Sequence, residues 1–254
     1  MRPELPLREN QATALAMPVP IVALDVPTPE EALALVARLP RADFFKVGLQ
    51  LYTAAGPEIV RRLTGQGKQV FLDLKLHDIP NTVAGAVRSA AALEVDILTV
   101  HASGGEEMLT AAMAAANGAP HPPKIFAVTV LTSLRSADLT QIWGPAVPEV
   151  GEAVAGLARL ADRAGVDGVV AAVGDIAAIR AQTRSDLGLL TPGIRLPGGD
   201  HGDQARVATP EDAVRAGVDF MVIGRAVTAA ADPVGAYEQI LAAIGRPSSS
   251  RGEI

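Results

Sequence analysis

Eight times along this chain a short run of β-branched and apolar residues gives way to an alanine-rich stretch with apolar residues at helical spacing. Strands are expected near Ile21–Asp25, Phe44–Gly48, Val70–Lys75, Ile97–His101, Ile125–Leu131, Gly168–Ala172, Leu189–Pro192 and Phe220–Gly224. The helices between them are expected at Pro29–Leu39, Ala54–Gln66, Val83–Leu93, Glu106–Asn117, Val150–Ala164, Asp175–Thr183, Thr209–Ala216 and Pro233–Ala243. Strict alternation of this kind argues for a parallel sheet with helical crossovers. Eight units in 254 residues fit a closed (β/α)₈ TIM barrel, one α/β domain, better than an open doubly wound sheet. The first strand is not followed by Gly-x-Gly-x-x-Gly, which argues against a dinucleotide fold. The barrel domain is expected over residues 19–245. Residues 1–18 read as a loose extension, with Met17 an alternative start, and 246–254 as a disordered tail rich in serine.

Composition narrows the function classes. Hydrophobic residues make up 49% of the chain but aromatics only 3%, so the core is expected to be alanine, valine, leucine and isoleucine. The net charge is −6 and no basic run occurs, which speaks against nucleic acid as a partner. With no cysteine, disulfides, thiolate zinc sites and a cysteine nucleophile are excluded, and a reducing cytoplasm is the compatible setting. No apolar run reaches the roughly 20 residues that span a bilayer, and the N-terminus lacks the basic-then-apolar order of a signal peptide.

In a barrel of this kind chemistry sits at the C-terminal ends of the strands. The first expected strand ends in Asp25, the second carries Lys46, and the third carries Asp73 and Lys75. Side chains alternate along a strand, so Asp73 and Lys75 are expected on one face, roughly 6–7 Å apart along it. Adjacent strands lie about 4.8 Å apart, so the four residues can form one cluster of alternating sign. At an effective dielectric near 20, each contact at about 4 Å is worth about 4 kcal/mol before desolvation is subtracted. Such a cluster holds a lysine protonated and fixes where its ammonium points. His77 and His101 are read as structural. Thr132 and Ser133, after the fifth strand, suit the polar edge of a heterocycle.

The seventh strand ends Thr191-Pro192-Gly193-Ile194-Arg195, followed by a Gly/Asp-rich loop to Gln204. The eighth ends Ile223-Gly224-Arg225. Loops after the last two strands form the usual phosphate site of this fold, and two arginines there offer charge-assisted bonds. The residues therefore predict a phosphorylated small molecule, its phosphate over strands seven and eight and its reacting part over strands one to three. Lys75 is the acid. No metal ligand set and no Ser-His-Asp elbow is recognised, so no metal and no cofactor are expected, and the chemistry is proton transfer or loss of a charged group.

The run Asp73-Leu-Lys75-Leu-His-Asp78-Ile-Pro-Asn-Thr82 closely resembles the signature of orotidine 5′-phosphate decarboxylases, and Leu24-Asp25, Phe45-Lys46-Val-Gly48, Val130-Leu-Thr132-Ser133, Thr191–Arg195, Gly202-Asp-Gln204 and Ile223–Arg225 agree in order. The resemblance spans residues 20–244. The Asp-x-Lys-x-x-Asp core alone is shared with sister decarboxylases and aldolases; the extended form with the phosphate loops is more specific. The resemblance implies conversion of orotidine 5′-monophosphate to UMP and CO₂, the last step of de novo pyrimidine synthesis. Lys75 resembles the proton donor to C6 and Asp73 the carboxylate beside the leaving group. Lys46 and Asp25 resemble ribose contacts within the charge network. Asp78 and Thr82 resemble residues that reach the partner's site in a homodimer. Thr132 resembles the pyrimidine contact. Arg195, Gln204, Gly224 and Arg225 resemble the phosphate clamp, Pro192 a further substrate contact, and the loop 193–204 the lid. Two alternatives stand beside this reading. One is a Mg²⁺-dependent sugar-phosphate enzyme of the same superfamily, which needs an acid soon after Lys46 where this chain has Val-Gly-Leu-Gln50. The other is a non-catalytic barrel that binds a phosphate ligand.

Overall fold

Short strands apolar on both faces, each followed by a helix, close on themselves in the computed structural model, which describes residues 17–146, 149–196 and 206–245. The strands are β1 (Val19–Ala23), β2 (Phe44–Gly48), β3 (Gln69–Leu76), β4 (Ile97–His101), β5 (Lys124–Val128), β6 (Gly168–Val170), β7 (Gly188–Thr191) and β8 (Phe220–Ile223). They form one closed parallel barrel in chain order. The seam is made by β8 against β1, with Val19 opposite Phe220 and Val22 opposite Ile223. The crossovers carry α1 (Pro29–Arg38), α2 (Leu49–Ala55), α3 (Glu58–Gly65), α4 (Pro80–Ala91), α5 (Glu106–Asn117), α6 (Ser136–Trp143), α7 (Val150–Arg163), α8 (Ile176–Arg180), α9 (Pro210–Ala216), α10 (Arg225–Thr228) and α11 (Pro233–Ala243). No helix among the described residues is long and apolar enough to cross a membrane.

Two apolar layers hold this arrangement. Outward-facing strand residues such as Val22, Val47, Leu72, Leu98 and Val100 pack under the helices, while Ile21, Ala23, Phe44, Phe71, Ile97, Phe126, Val128, Leu190, Phe220 and Val222 fill the barrel interior. The interior departs from the expectation of a purely aliphatic core. All five phenylalanines are buried, and four of them lie inside the barrel. Phe220 meets Phe44 and Phe126 edge to face, at ring-centroid distances of 6.3 and 5.7 Å. Small residues on other strands make the room: a Cβ at Gly168 would lie 2.4 Å from Phe126 Cε1. Few aromatics suffice because the barrel interior needs only a handful of large side chains.

Several boundaries differ from the sequence reading. The helix expected at Ala54–Gln66 is two helices, broken at Gly56, which takes φ +62°, and at Pro57, whose ring cannot continue α2. Helix α6 lies where only a loop was expected; the Arg135 backbone N–H donates to Asp138 Oδ2 at 2.8 Å and starts it. Strand β3 is not regular to its end. Its pairing with β4 shifts register between Leu72 and Leu76, and Lys75 has φ +50°.

Candidate active site

Inward parity is what aims the charges. On β1 the inward set is Ile21 and Ala23, so Asp25, just past the strand, continues that face; on β2 Lys46 follows Phe44, and on β3 Asp73 follows Phe71. Lys46 Nζ donates to Asp25 Oδ1 at 2.7 Å and lies 3.7 Å from Asp73 Oδ2. Lys75 Nζ donates to the same Asp73 oxygen at 2.8 Å. The side chains of Lys46 and Asp73 are only 10% and 12% exposed, against 52% for Asp25. The four residues thus form one chain of alternating charge, running from exposed Asp25 through buried Lys46 and Asp73 to part-exposed Lys75. A buried charge without such partners would be strongly disfavoured.

Lys75 reaches this position by an uncommon route. A left-handed backbone at a lysine costs roughly 1–3 kcal/mol and persists only where its surroundings enforce it. Here the Lys75 N–H donates to Thr99 Oγ1 at 2.9 Å, and Thr99 Oγ1 in turn donates to Asp73 Oδ1 at 2.9 Å. Thr99 lies on β4 and is fully buried. The sequence reading did not single out Thr99. Its two-residue spacing from inward-facing Ile97 was the available signal.

Behind the cluster, the rings of His77 and His101 lie 5.3 Å apart. Burial holds the His101 imidazole below its ordinary value of 6.5, and His77 and Lys75 push the same way against Asp73. The ring is therefore neutral at neutral pH.

The cluster opens into a cavity of about 520 Å³ at the C-terminal mouth of the barrel. Phe71, Val128, Val170, Leu190 and Val222 form its apolar floor. Of the residues singled out in the sequence, Asp25, Lys46, Asp73, Lys75, Thr132, Pro192, Arg195, Gly224 and Arg225 all line it. The arginines follow β7 and β8 and the charge chain follows or lies on β1 to β3, so cationic and mixed-charge arcs share one mouth. Gly193 and Ala208 tie the start of the β7 loop to its return: the Ala208 N–H donates to Gly193 O at 3.2 Å and the Arg195 N–H to Ala208 O at 2.9 Å. Gln50 also lines the cavity and was not anticipated.

Not every expected residue lines the cavity. Asp78 and Thr82 are exposed and do not line this cavity; Asp78 Oδ1 accepts from the Ile79 N–H at 2.7 Å. Gln204 falls outside the described residues. Ser133 is exposed and does not line the cavity. Among the described residues no group of three or more histidines, aspartates or glutamates is placed to hold a metal ion. Chemically, the site offers a Lys75 ammonium held by a buried carboxylate, an apolar floor for a flat ring, and two guanidiniums for an anion.

Known proteins share this sequence and this barrel over most of their length. The model of the orotidine 5′-phosphate decarboxylase / HUMPS family matches residues 18–240. An orotidine 5′-phosphate decarboxylase of Idiomarina loihiensis is 49% identical over 232 residues, covering 91% of this chain and all of that protein. That of Moorella thermoacetica is 52% identical over 230 residues, covering 88% of this chain and 91% of its own. The crystal structure of orotidine 5′-phosphate decarboxylase from Lactobacillus acidophilus superposes with a TM-score of 0.80 at 37% identity, covering 91% of this chain and 100% of the other. Matched end to end of its barrel in sequence and in architecture, the chain belongs to the orotidine 5′-phosphate decarboxylase / HUMPS family.

Proposed function

We propose that the protein converts orotidine 5′-monophosphate to UMP and CO₂, the last step of de novo pyrimidine synthesis, using its own side chains and no cofactor. The observation that carries this reading is the chain Asp25–Lys46–Asp73–Lys75 at the cavity mouth, with contacts of 2.7, 3.7 and 2.8 Å. The C6–carboxylate bond breaks and its electron pair stays on C6 in an sp² orbital with little delocalisation. A fixed ammonium beside that atom stabilises the pair and then delivers its proton, and the neutral amine regains one from solvent. Lys75 is that ammonium. Asp73 holds it and is itself paired with Lys46, and Asp25 with Lys46 meets the ribose. Arg195 and Arg225, with Gly224 and Gln204, take the phosphate, Pro192 is a further substrate contact, and Thr132 takes the ring edge. Binding the remote phosphate supplies energy for orienting the reacting ring.

The reading includes a homodimer. Asp78 and Thr82 lie outside their own cavity, on the exposed segment after β3, where a second copy's site can use them. It also includes a cytoplasmic setting, where the nucleotide pool lies. The sugar-phosphate branch of the family is disfavoured because Lys46 is followed by Val47, Gly48, Leu49 and Gln50, with no acid to bind Mg²⁺.

The test is spectrophotometric loss of orotidine 5′-monophosphate, with and without chelator. Native protein is expected to turn it over equally in both conditions. Lys75→Ala is expected to lose at least about 10⁴-fold in kcat while still binding UMP. An inactive native protein overturns the reading, and an active Lys75→Ala variant removes Lys75 as the donor.

A further inference from the structure

We propose that Thr99 is a positioning residue for the reacting ammonium, holding Lys75 at both of its ends through one hydroxyl. The proposal rests on the decarboxylase reading above. Thr99 Oγ1 has one proton, given to Asp73 Oδ1, and it accepts the main-chain N–H of Lys75; both distances are 2.9 Å. The other oxygen of Asp73 receives Lys75 Nζ at 2.8 Å. The bonds close a ring: hydroxyl to carboxylate, carboxylate to ammonium, along the lysine to its own amide, and back to the same hydroxyl. Neither end of Lys75 moves without breaking a member of it.

The ring lies where the sheet stops specifying the backbone. Pairing of β3 with β4 shifts register between Leu72 and Leu76, and within that gap Lys75 adopts φ +50°. A left-handed lysine is not self-sustaining, since its Cβ crowds the backbone. The buried hydroxyl supplies the anchor that the shifted ladder does not. A valine of the same shape would fit the space beside Ile97 but leave Asp73 Oδ1 without its donor in a dry pocket. The carboxylate would turn to find another, and the ammonium would follow it.

Thr99→Val keeps the volume and removes the hydroxyl, and Thr99→Ser keeps the hydroxyl. With orotidine 5′-monophosphate as substrate, Thr99→Val is expected to lose about 100-fold in kcat, the size of effect that a misplacement near 1 Å produces. Its KM and its affinity for UMP are expected to stay within about threefold of native, because phosphate and ring contacts are untouched. Thr99→Ser is expected to recover most of that loss. A role confined to packing would lower the melting temperature without this split and without rescue by serine. If Thr99→Val does not fold, Thr99→Ser is compared with Thr99→Cys, nearly equal in shape but a weak hydrogen-bonding partner, and serine is expected to be at least about tenfold faster. Native-like kcat in Thr99→Val, equal loss in valine and serine, or equal rates in serine and cysteine overturns the proposal. An inactive native protein instead overturns the decarboxylase reading beneath it.

Discussion

Gly48 is the residue whose missing side chain the charge chain depends on. A Cβ there would lie 2.7 Å from Lys46 Nζ and 3.1 Å from Asp25 Oδ1. Its backbone, at φ −99° and ψ −177°, is one that any residue adopts, so space and not conformation demands glycine. Gly48→Ala is expected to push the ammonium of Lys46 aside and cut kcat/KM by about 10–100-fold. The melting temperature is expected to stay near native, because the clash falls on flexible side-chain ends; steady-state kinetics and thermal denaturation check both. Gly168 is the opposite case, since a Cβ there meets Phe126 and the carbonyl of Gly188 inside the core. At this scale the sequence was most readable where charge interrupts an apolar strand, at Asp25, Lys46, Asp73 and Lys75. It was faint at Thr99, where parity with Ile97 marks an inward position but a lone hydroxyl among apolar residues names no role. The left-handed turn at Lys75 was equally hidden, since neither glycine nor asparagine stands there to announce it.

A recurring device ties the strands together at the other face of the barrel. Asp96, just before β4, accepts the Val70 N–H of β3 at 2.7 Å. Asp167, before β6, accepts the Ile125 N–H of β5 at 2.8 Å, and Asp219, before β8, accepts the Leu189 N–H of β7 at 2.8 Å. Each carboxylate thus staples the start of one strand to its neighbour, at the end that reads as stability and not catalysis. Asp219 is buried and also lies 3.5 Å from Arg180 Nη2. Asp219→Ala is expected to cost about 2–3 kcal/mol, the range for bonds to a charged group, with kcat unchanged. Chemical denaturation and the orotidine 5′-monophosphate assay, run side by side, measure the two effects. The order of strands and helices was legible because the apolar period switches eight times. Their ends were less so: the break at Gly56-Pro57 was passed over because the helical apolar pattern runs on across it, and α6 depends on a local cap that no periodicity reveals.

Across the whole molecule, the segment that leaves β3 projects outward. Ile79 there is 67% exposed, between exposed Asp78 and Thr82, and Leu49, after β2, is 56% exposed. If Asp78 serves a second copy, Lys75→Ala and Asp78→Asn homodimers are both expected to be poor enzymes. Mixing them under conditions of subunit exchange is expected to restore about one intact site per heterodimer, or roughly a quarter of native activity in an equal mixture, where half the dimers are mixed. No recovery after demonstrated exchange argues against a shared site. Closure of the sheet has its own consequence for biosynthesis. The strand that seals the barrel is also the last to leave the ribosome, so β1 and β7 keep unpaired flanks until residue 223 emerges. During that interval a nascent chain can be captured by another's open flank, and how quickly translation finishes its final stretch bears on how much protein matures.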